Sequence, residues 1–179
     1  MPGNGASSSS SATAQGRQLA CCIPVRGGEA DGAPLEVLLV SSRRCTRRTE
    51  AVAGQGGEVC PQPNLVFPKG GWEPDETLWE AAVREAYEEA GVSGRLETPH
   101  VDTFSYESLK DRHDKGGHSR QRTVYVFVLY VTKEHIEWPE KDSRKRIWVK
   151  LASVSERLKH DWMRSVFDTL CAERGWNVI

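Results

Sequence analysis

Between Thr77 and Gly91 the chain carries a helix whose two ends are both written in the sequence. Thr77-Leu78-Trp79-Glu80 has the spacing of a capping box, in which threonine and glutamate satisfy each other's orphan backbone donors. Gly91 ends the run, because glycine takes the left-handed C′ conformation without a Cβ penalty. At ~100° per residue, Glu85, Glu88 and Glu89 project from one side of this helix, next to a core-facing arc of Leu78, Ala82 and Ala86. Three carboxylates beside a buried face repel one another, and something must neutralise them. A hard divalent cation with oxygen ligands does so. Arginines do so as well: Arg84 reaches Glu80 and Glu88 at i,i±4, a pairing that leaves Glu85 and Glu89 without a partner. Spacing alone leaves both solutions open.

The same segment distorts an otherwise balanced charge. The 179 residues hold 25 acidic and 24 basic side chains, net −1, so bulk attraction to nucleic acid or acidic lipid is not expected. Yet Glu73, Asp75, Glu76, Glu80, Glu85, Glu88 and Glu89 are interrupted only by Arg84, which leaves the rest of the chain with a surplus of five positive charges. An acidic block on a basic body suits a divalent cation beside an anionic ligand. A solvated helix would have the same composition.

No stretch approaches 18 apolar residues, so no transmembrane helix is expected. Cys21, Cys22, Cys45, Cys60 and Cys171 lack metal-ligand spacing and read as reduced thiols of a cytoplasmic or nuclear protein. Met1 to Gly16 is Gly, Ser, Ala and Thr with a serine run, and reads as a disordered tail. It lacks the apolar stretch of a secretory signal and is expected to direct the protein nowhere. A single folded domain is expected over 17–179.

Within that domain, Leu19–Val25 and Leu35–Ser41 read as buried strands around a Gly-rich turn. Thr46–Asn64 reads as a long loop, either a binding element or a tolerated insertion. Leu65–Phe67 is a short strand, Val101–Tyr106 another, and Glu107–Gln121 a charged loop. Arg122–Thr132 is a long strand and Arg146–Lys150 a short one. Ala152–His160 and Asp161–Arg174 read as helices, the second with Trp162, Val166, Phe167 and Leu170 on one face. Strands interspersed with helices indicate an α/β or α+β domain. Gly70 and Gly71 lack a Cβ and would let main-chain groups approach a phosphate or ion, although a turn alone explains such a pair.

Gly70, five residues, Glu76, seven residues, then Arg84-Glu85-Ala86-Tyr87-Glu88-Glu89-Ala90-Gly91-Val92 resembles the Nudix box, G-x5-E-x7-R-E-U-x-E-E-x-G-U, where U is bulky and apolar. Every charged and glycine position is matched, and the one departure is the small Ala86. The resemblance implies an α/β fold, a Nudix-type α/β/α sandwich with a mixed β-sheet and the Nudix-box loop-helix-loop. It implies hydrolysis of phosphoanhydrides with magnesium, or manganese, held by Glu85, Glu88, Glu89 and the Gly70 carbonyl. Glu89 would be the general base, and Glu76 would anchor the loop ahead of the helix.

Phe67-Pro68-Lys69-Gly70-Gly71-Trp72-Glu73 is similar to diphosphoinositol polyphosphate phosphohydrolases of the plant and fungal type. So are Val37 to Ser42 with Arg43-Arg44, Arg122 to Val126, and Arg144-Lys145-Arg146-Ile147-Trp148. This resemblance implies removal of the β-phosphate from inositol pyrophosphates (a diphosphoinositol-polyphosphate diphosphatase), with activity on diadenosine polyphosphates. By motif match the phosphate contacts are Arg17, Arg44, Lys69, Gly70, Gly71, Arg122, Arg144 and Arg146, with Lys159 or His160 near the last helix. The loop 46–64 is longer than the usual connection, which bears on those contacts.

A dense array of phosphates needs several cations from different parts of a fold, Arg as a bidentate fork and Lys as a point charge. Exposed Arg and Lys are also commonly just solvated, and Arg43, Arg47 and Arg48 are either further contacts or loop charge. No base-stacking platform is expected; Trp72 would stack on a nucleobase or cover the helix. The expected partner is a small polyphosphate, bound by a monomer, with neither membrane nor nucleic acid. Two alternatives stand: a Nudix hydrolase for dinucleoside polyphosphates, NADH, ADP-ribose or capped RNA, and a non-catalytic inositol phosphate-binding module.

Overall fold

A computed structural model describes residues 16–28, 33–42, 65–108 and 120–176. Strand β1 (Arg17–Gly28) organises the rest, because its Leu19 to Val25 stretch is buried throughout and so must be covered on both faces. One edge of β1 pairs in parallel with β7 (Arg120–Glu134), from Arg17 opposite Arg122 to Val25 opposite Tyr130. Two strands share the other edge. The second half of β1 pairs antiparallel with β2 (Ala33–Ser41), while its first half pairs antiparallel with the short β4 (Lys69–Gly71). β3 (Leu65–Val66) and β8 (Arg146–Lys150) extend the sheet from β2, and β5 (Val92–Leu96) and β6 (Asp102–Ser108) extend it from β7. The result is an eight-stranded mixed sheet.

Helix α1 (Leu78–Ala90) covers one face. Ala81, Ala82, Glu85, Ala86, Glu89 and Ala90 form its buried stripe, at the i, i+1, i+4, i+5 spacing of a helix lying on a surface. The small alanines seat it close to Ala20 and Phe127. Side chains alternate along a strand, so Leu19, Cys21, Val124 and Val126 look the other way. There α3 (Asp161–Arg174) buries Met163, Val166, Phe167, Leu170 and Cys171, and Phe167 meets Phe67 at 6.1 Å between ring centroids. Helices on both faces of a mixed sheet give the α/β/α sandwich expected from the sequence.

The capped helix runs over Leu78–Ala90 as expected, and the strand and last-helix expectations hold within a few residues at their ends. Three segments differ. Lys69–Gly71 and Val92–Leu96 are strands, the second joined to β7 through a register shift at Ser93/Gly94. In place of a helix over 152–160 stand a 3-10 turn (Leu151–Ser153) and the single-turn α2 (Val154–Arg157). The backbone leaves the helix there because Leu158 bridges to Leu65, and the Lys159 N–H donates to the Leu65 carbonyl at 2.9 Å. The loop over 46–64, most of the 107–121 loop, and the tail expected over 1–16 up to residue 15 lie outside the described residues. No helix among the described residues is long and apolar enough to cross a membrane.

Gly91 closes α1 with φ +62°, its N–H donating to the carbonyls of Ala86 and Tyr87. A Cβ there would lie 2.6 Å from the Trp138 ring. Gly91→Ala therefore combines left-handed strain with a clash and is expected to cost more than about 1 kcal/mol. A lowered urea midpoint with an unchanged m-value is the expected reading.

Candidate active site

The loop 72–77 is tied to α1 by one arginine. Arg84 grips Glu76 with two bonds, Nε to Oε2 at 2.9 Å and Nη2 to Oε1 at 2.6 Å, and Nη2 also donates to the Gly71 carbonyl at 2.9 Å. Its Nη1 reaches Glu85 at 2.8 Å and Glu88 at 3.3 Å. The Glu76 carboxylate also accepts the Glu73 N–H, and Arg84 beside it holds its pKa below the ordinary glutamate value. Glu76 is thus the loop anchor. The expected Arg84–Glu80 pairing does not form, because Glu80 closes the capping box with Thr77 instead.

Nor are Glu85 and Glu89 left without partners. Glu85 meets Arg84, and Glu89 meets Arg144, whose Nη2 donates to Glu89 Oε1. Glu89 Oε2 accepts the Lys69 main-chain N–H at 3.1 Å. Both carboxylates are buried, 7% and 4% exposed. Burial, then the nearby Glu89 charge, pushes the Glu85 pKa above its ordinary value despite Arg84.

The reason that only glycine stands at position 70 is now visible: a Cβ there would fall 1.9 Å from Glu85 Oε1. Gly70 is the floor on which the glutamate lies. Among the described residues, no three His, Cys, Asp or Glu side chains converge as a metal cage, since the arginines hold the glutamates. The donor set nevertheless fits a hard divalent ion. It is all oxygen, and the region places Glu76, Glu85, Glu88, Glu89 and Glu140 around two guanidinium groups, Arg84 and Arg144.

Across β4 from these carboxylates lies a cleft of about 490 Å³. Alternation along the strands explains its lining. Arg17 sits opposite Arg122 in the parallel pair, and Lys69 opposite Cys21, so all three side chains emerge on the α3 face. Gly71 makes room for the Arg17 guanidinium, which lies 2.8 Å from where a Cβ would be. Gly70, Gly71 and His160 complete this end of the lining.

Arg144 and Arg146 are not brought to the cleft. Arg144 is buried behind Glu89, and Arg146 donates to the Ala90 and Gly91 carbonyls at 3.1 Å each while stacking on Trp138. There its guanidinium satisfies carbonyls at the end of α1. Arg44, with Arg43, Arg47 and Arg48, lies outside the described residues.

The cleft also has an aromatic wall that the sequence did not lead us to expect. Tyr106 from β6 and Trp162 from α3 both line it, with ring planes 16° apart, and Phe104 backs Trp162 at 14°. Trp72, the expected stacking candidate, is an exposed residue whose indole N–H donates to the Glu76 carbonyl. Alternating apolar residues over 104–106 were the available signal, but nothing in the sequence joined them to Trp162.

Glu85 gives a stability test. Its proton is held more tightly in the folded chain than in the unfolded one, so ionising it costs stability as pH rises through and above the ordinary glutamate range. Glu85→Gln is therefore expected to raise the metal-free melting temperature at pH 7. The gain should shrink as the pH falls toward 4.5. Magnesium should raise the melting temperature of the unsubstituted protein and leave that of the variant nearly unmoved.

The NUDIX domain family model matches residues 17–170. "Nudix hydrolase 21, chloroplastic" of Arabidopsis thaliana is 35% identical over 156 residues, which cover 87% of this chain and 67% of that protein. "Diphosphoinositol polyphosphate phosphohydrolase 3-alpha" of Mus musculus is 37% identical over 145 residues, 80% of this chain and 70% of that one. The chain spans about two thirds of the length of these curated relatives. In fold it is similar to a solved NUDIX hydrolase from Nitrosomonas europaea, with a TM-score of 0.62 at 14% identity over 89% of this chain and 90% of that one.

Proposed function

The chain belongs to the Nudix family, and on that premise we propose that it is a divalent-metal-dependent phosphoanhydride hydrolase that removes the β-phosphate from inositol pyrophosphates. The observation that carries this reading is the convergence of Arg17, Lys69 and Arg122, from three strands, on one cleft, with Glu85 of α1 against Gly70 on the other side of β4. The name of the mouse relative, a diphosphoinositol polyphosphate phosphohydrolase, supports the same substrate class.

Glu85, Glu88, Glu89 and the Gly70 carbonyl are the residues that would hold magnesium or manganese. The bound ion would supply charge neutralisation at the scissile phosphates and a more acidic water. Glu89 takes the proton of the attacking water. Lys69, Arg122 and Arg17 offset the charge that accumulates on phosphate oxygens during transfer, with Arg acting as a fork and Lys as a point charge. Gly71 keeps the floor of the cleft open for the guanidinium of Arg17. Buried, free Cys21, Cys22 and Cys171 support a reducing compartment such as cytoplasm or nucleus. The names of plant relatives make chloroplast and mitochondrion the competing addresses, which imaging of the tagged full chain decides.

A second reading, hydrolysis of diadenosine polyphosphates, is favoured by one observation, the Tyr106–Trp162 wall, which offers flat faces to a nucleobase. Offering both substrates at equal concentration separates the two. Trp162→Ala should spare inositol pyrophosphate turnover and raise KM for the dinucleotide if adenine stacks there.

Phosphate release from an inositol pyrophosphate should require magnesium and stop on chelation. Glu89→Gln should fold normally and lose about 10²–10⁴-fold in kcat. Near-normal turnover in that variant would remove Glu89 from the reaction.

A further inference from the structure

Arg144 is one of three buried charged residues among the described residues, 8% exposed, and its guanidinium joins three separate parts of the chain. Nε donates to the Glu140 carboxylate at 2.5 Å, Nη1 donates to the Ser41 carbonyl at the end of β2 at 2.9 Å, and Nη2 donates to Glu89 Oε1. On the other side of that carboxylate, Oε2 accepts the Lys69 N–H of β4. Glu89 is therefore held from two directions, by an arginine at one oxygen and by a strand amide at the other.

The turn that presents Arg144 is itself fastened to α1. The Glu140 N–H donates to the Glu88 carbonyl at 3.1 Å, and the Arg144 N–H donates to the Glu140 carbonyl at 2.9 Å. Ser41 and Lys145 bond each other reciprocally, Ser41 N–H to the Lys145 carbonyl at 2.8 Å and Lys145 N–H to Ser41 Oγ at 2.9 Å. Holder and held thus sit on one connected frame.

We propose that Arg144 is a positioning residue for hydrolysis: it acts through Glu89, fixing the direction of that carboxylate, and does not contact the phosphates. The proposal rests on the reading of Glu89 as the group that takes the water's proton. A free glutamate side chain turns about three bonds, and a displacement of about 1 Å at a reacting group costs roughly 10²-fold in rate. Two bonds in different directions remove that freedom. Arg suits the position and Lys does not, because only a planar fork reaches Glu140, Ser41 and Glu89 at once. Burying a guanidinium is unfavourable without partners, and here every named partner belongs to the protein.

The test uses the full chain with magnesium-dependent phosphate release from an inositol pyrophosphate, repeated with a diadenosine polyphosphate. Binding of inositol hexakisphosphate is measured alongside by calorimetry. Arg144→Gln is expected to lower kcat by about 10–100-fold, with KM and inositol hexakisphosphate affinity within about twofold of the unsubstituted protein. In the Glu89→Gln background the same substitution should add less than about twofold, because the residue it serves is already disabled. A rise in KM with lost hexakisphosphate binding, or losses that multiply in the double variant, would overturn the proposal and return Arg144 to phosphate binding. Should Arg144→Gln fail to fold, Arg144→Lys keeps the buried charge and carries the same comparison. Full turnover in Glu89→Gln alone would overturn the reading of Glu89, and with it the clamp; a dead Glu89→Gln beside an Arg144→Gln altered only in KM would overturn the clamp alone.

Discussion

The crowding of negative charge on the buried stripe of α1 governs the arrangement around it. Two like charges about 4 Å apart at an effective dielectric near 20 cost roughly 4 kcal/mol, a large fraction of the stability of an ordinary domain. The alanines at 81, 82, 86 and 90 draw the helix onto the sheet, and the same stripe carries Glu85 and Glu89 inward with them. Arg84 and Arg144 answer that crowding from opposite sides, one from within the helix and one from the turn before β8. Burial first, and the nearby Glu89 charge second, keep the Glu85 pKa raised even with Arg84 in place. A site tuned to receive a divalent cation has this character, since full neutralisation by the protein would leave nothing for the metal to gain.

The sheet divides the chemistry by alternation. Along β4, Lys69 points to the cleft on the α3 face, while Gly70 meets the glutamate on the α1 face. Successive residues of one strand thus face the basic cleft and the acidic cluster. β1 exchanges partners along one edge, from β4 to β2, and the short β4 is the strand that carries this division.

How much of this was legible varied with how local the physics was. The α1 caps, the glutamate spacing and the glycine before the helix are short-range, and they stood in the sequence as they stand in the fold. β4 and β5 escaped notice because neither is apolar enough to be read alone; Lys69–Gly71 is a strand only because β1 offers it an edge. The helix expected over 152–160 lost to a tertiary bridge from Leu158 to Leu65. The arginines were the hardest. Arg17, Arg122, Arg144 and Arg146 are equivalent as letters, and only strand register and burial separate the two that face the cleft from the two that serve carboxylates and helix carbonyls. Tyr106 and Trp162 meet across a sheet and a helix, a juxtaposition no local pattern encodes.

That aromatic wall sets a competition which magnitudes can decide. Stacking one base contributes about 1–3 kcal/mol, and each charge-assisted hydrogen bond to a phosphate about 1.5–3 kcal/mol. A polyphosphate chain of a dinucleotide is linear, so it presents its charges along one path and meets the cations that lie on that path. An inositol pyrophosphate carries phosphates around a ring, and under the proposed function it would engage Arg17, Lys69 and Arg122 together, which three neighbouring strands present on one face. Two such contacts already match or outweigh a single stacked base, whereas one is only comparable to it. Under the proposed function, the number of the three cations that each ligand reaches at once, set against the Glu107 carboxylate in the same lining, is what would separate a ring of phosphates from a nucleotide.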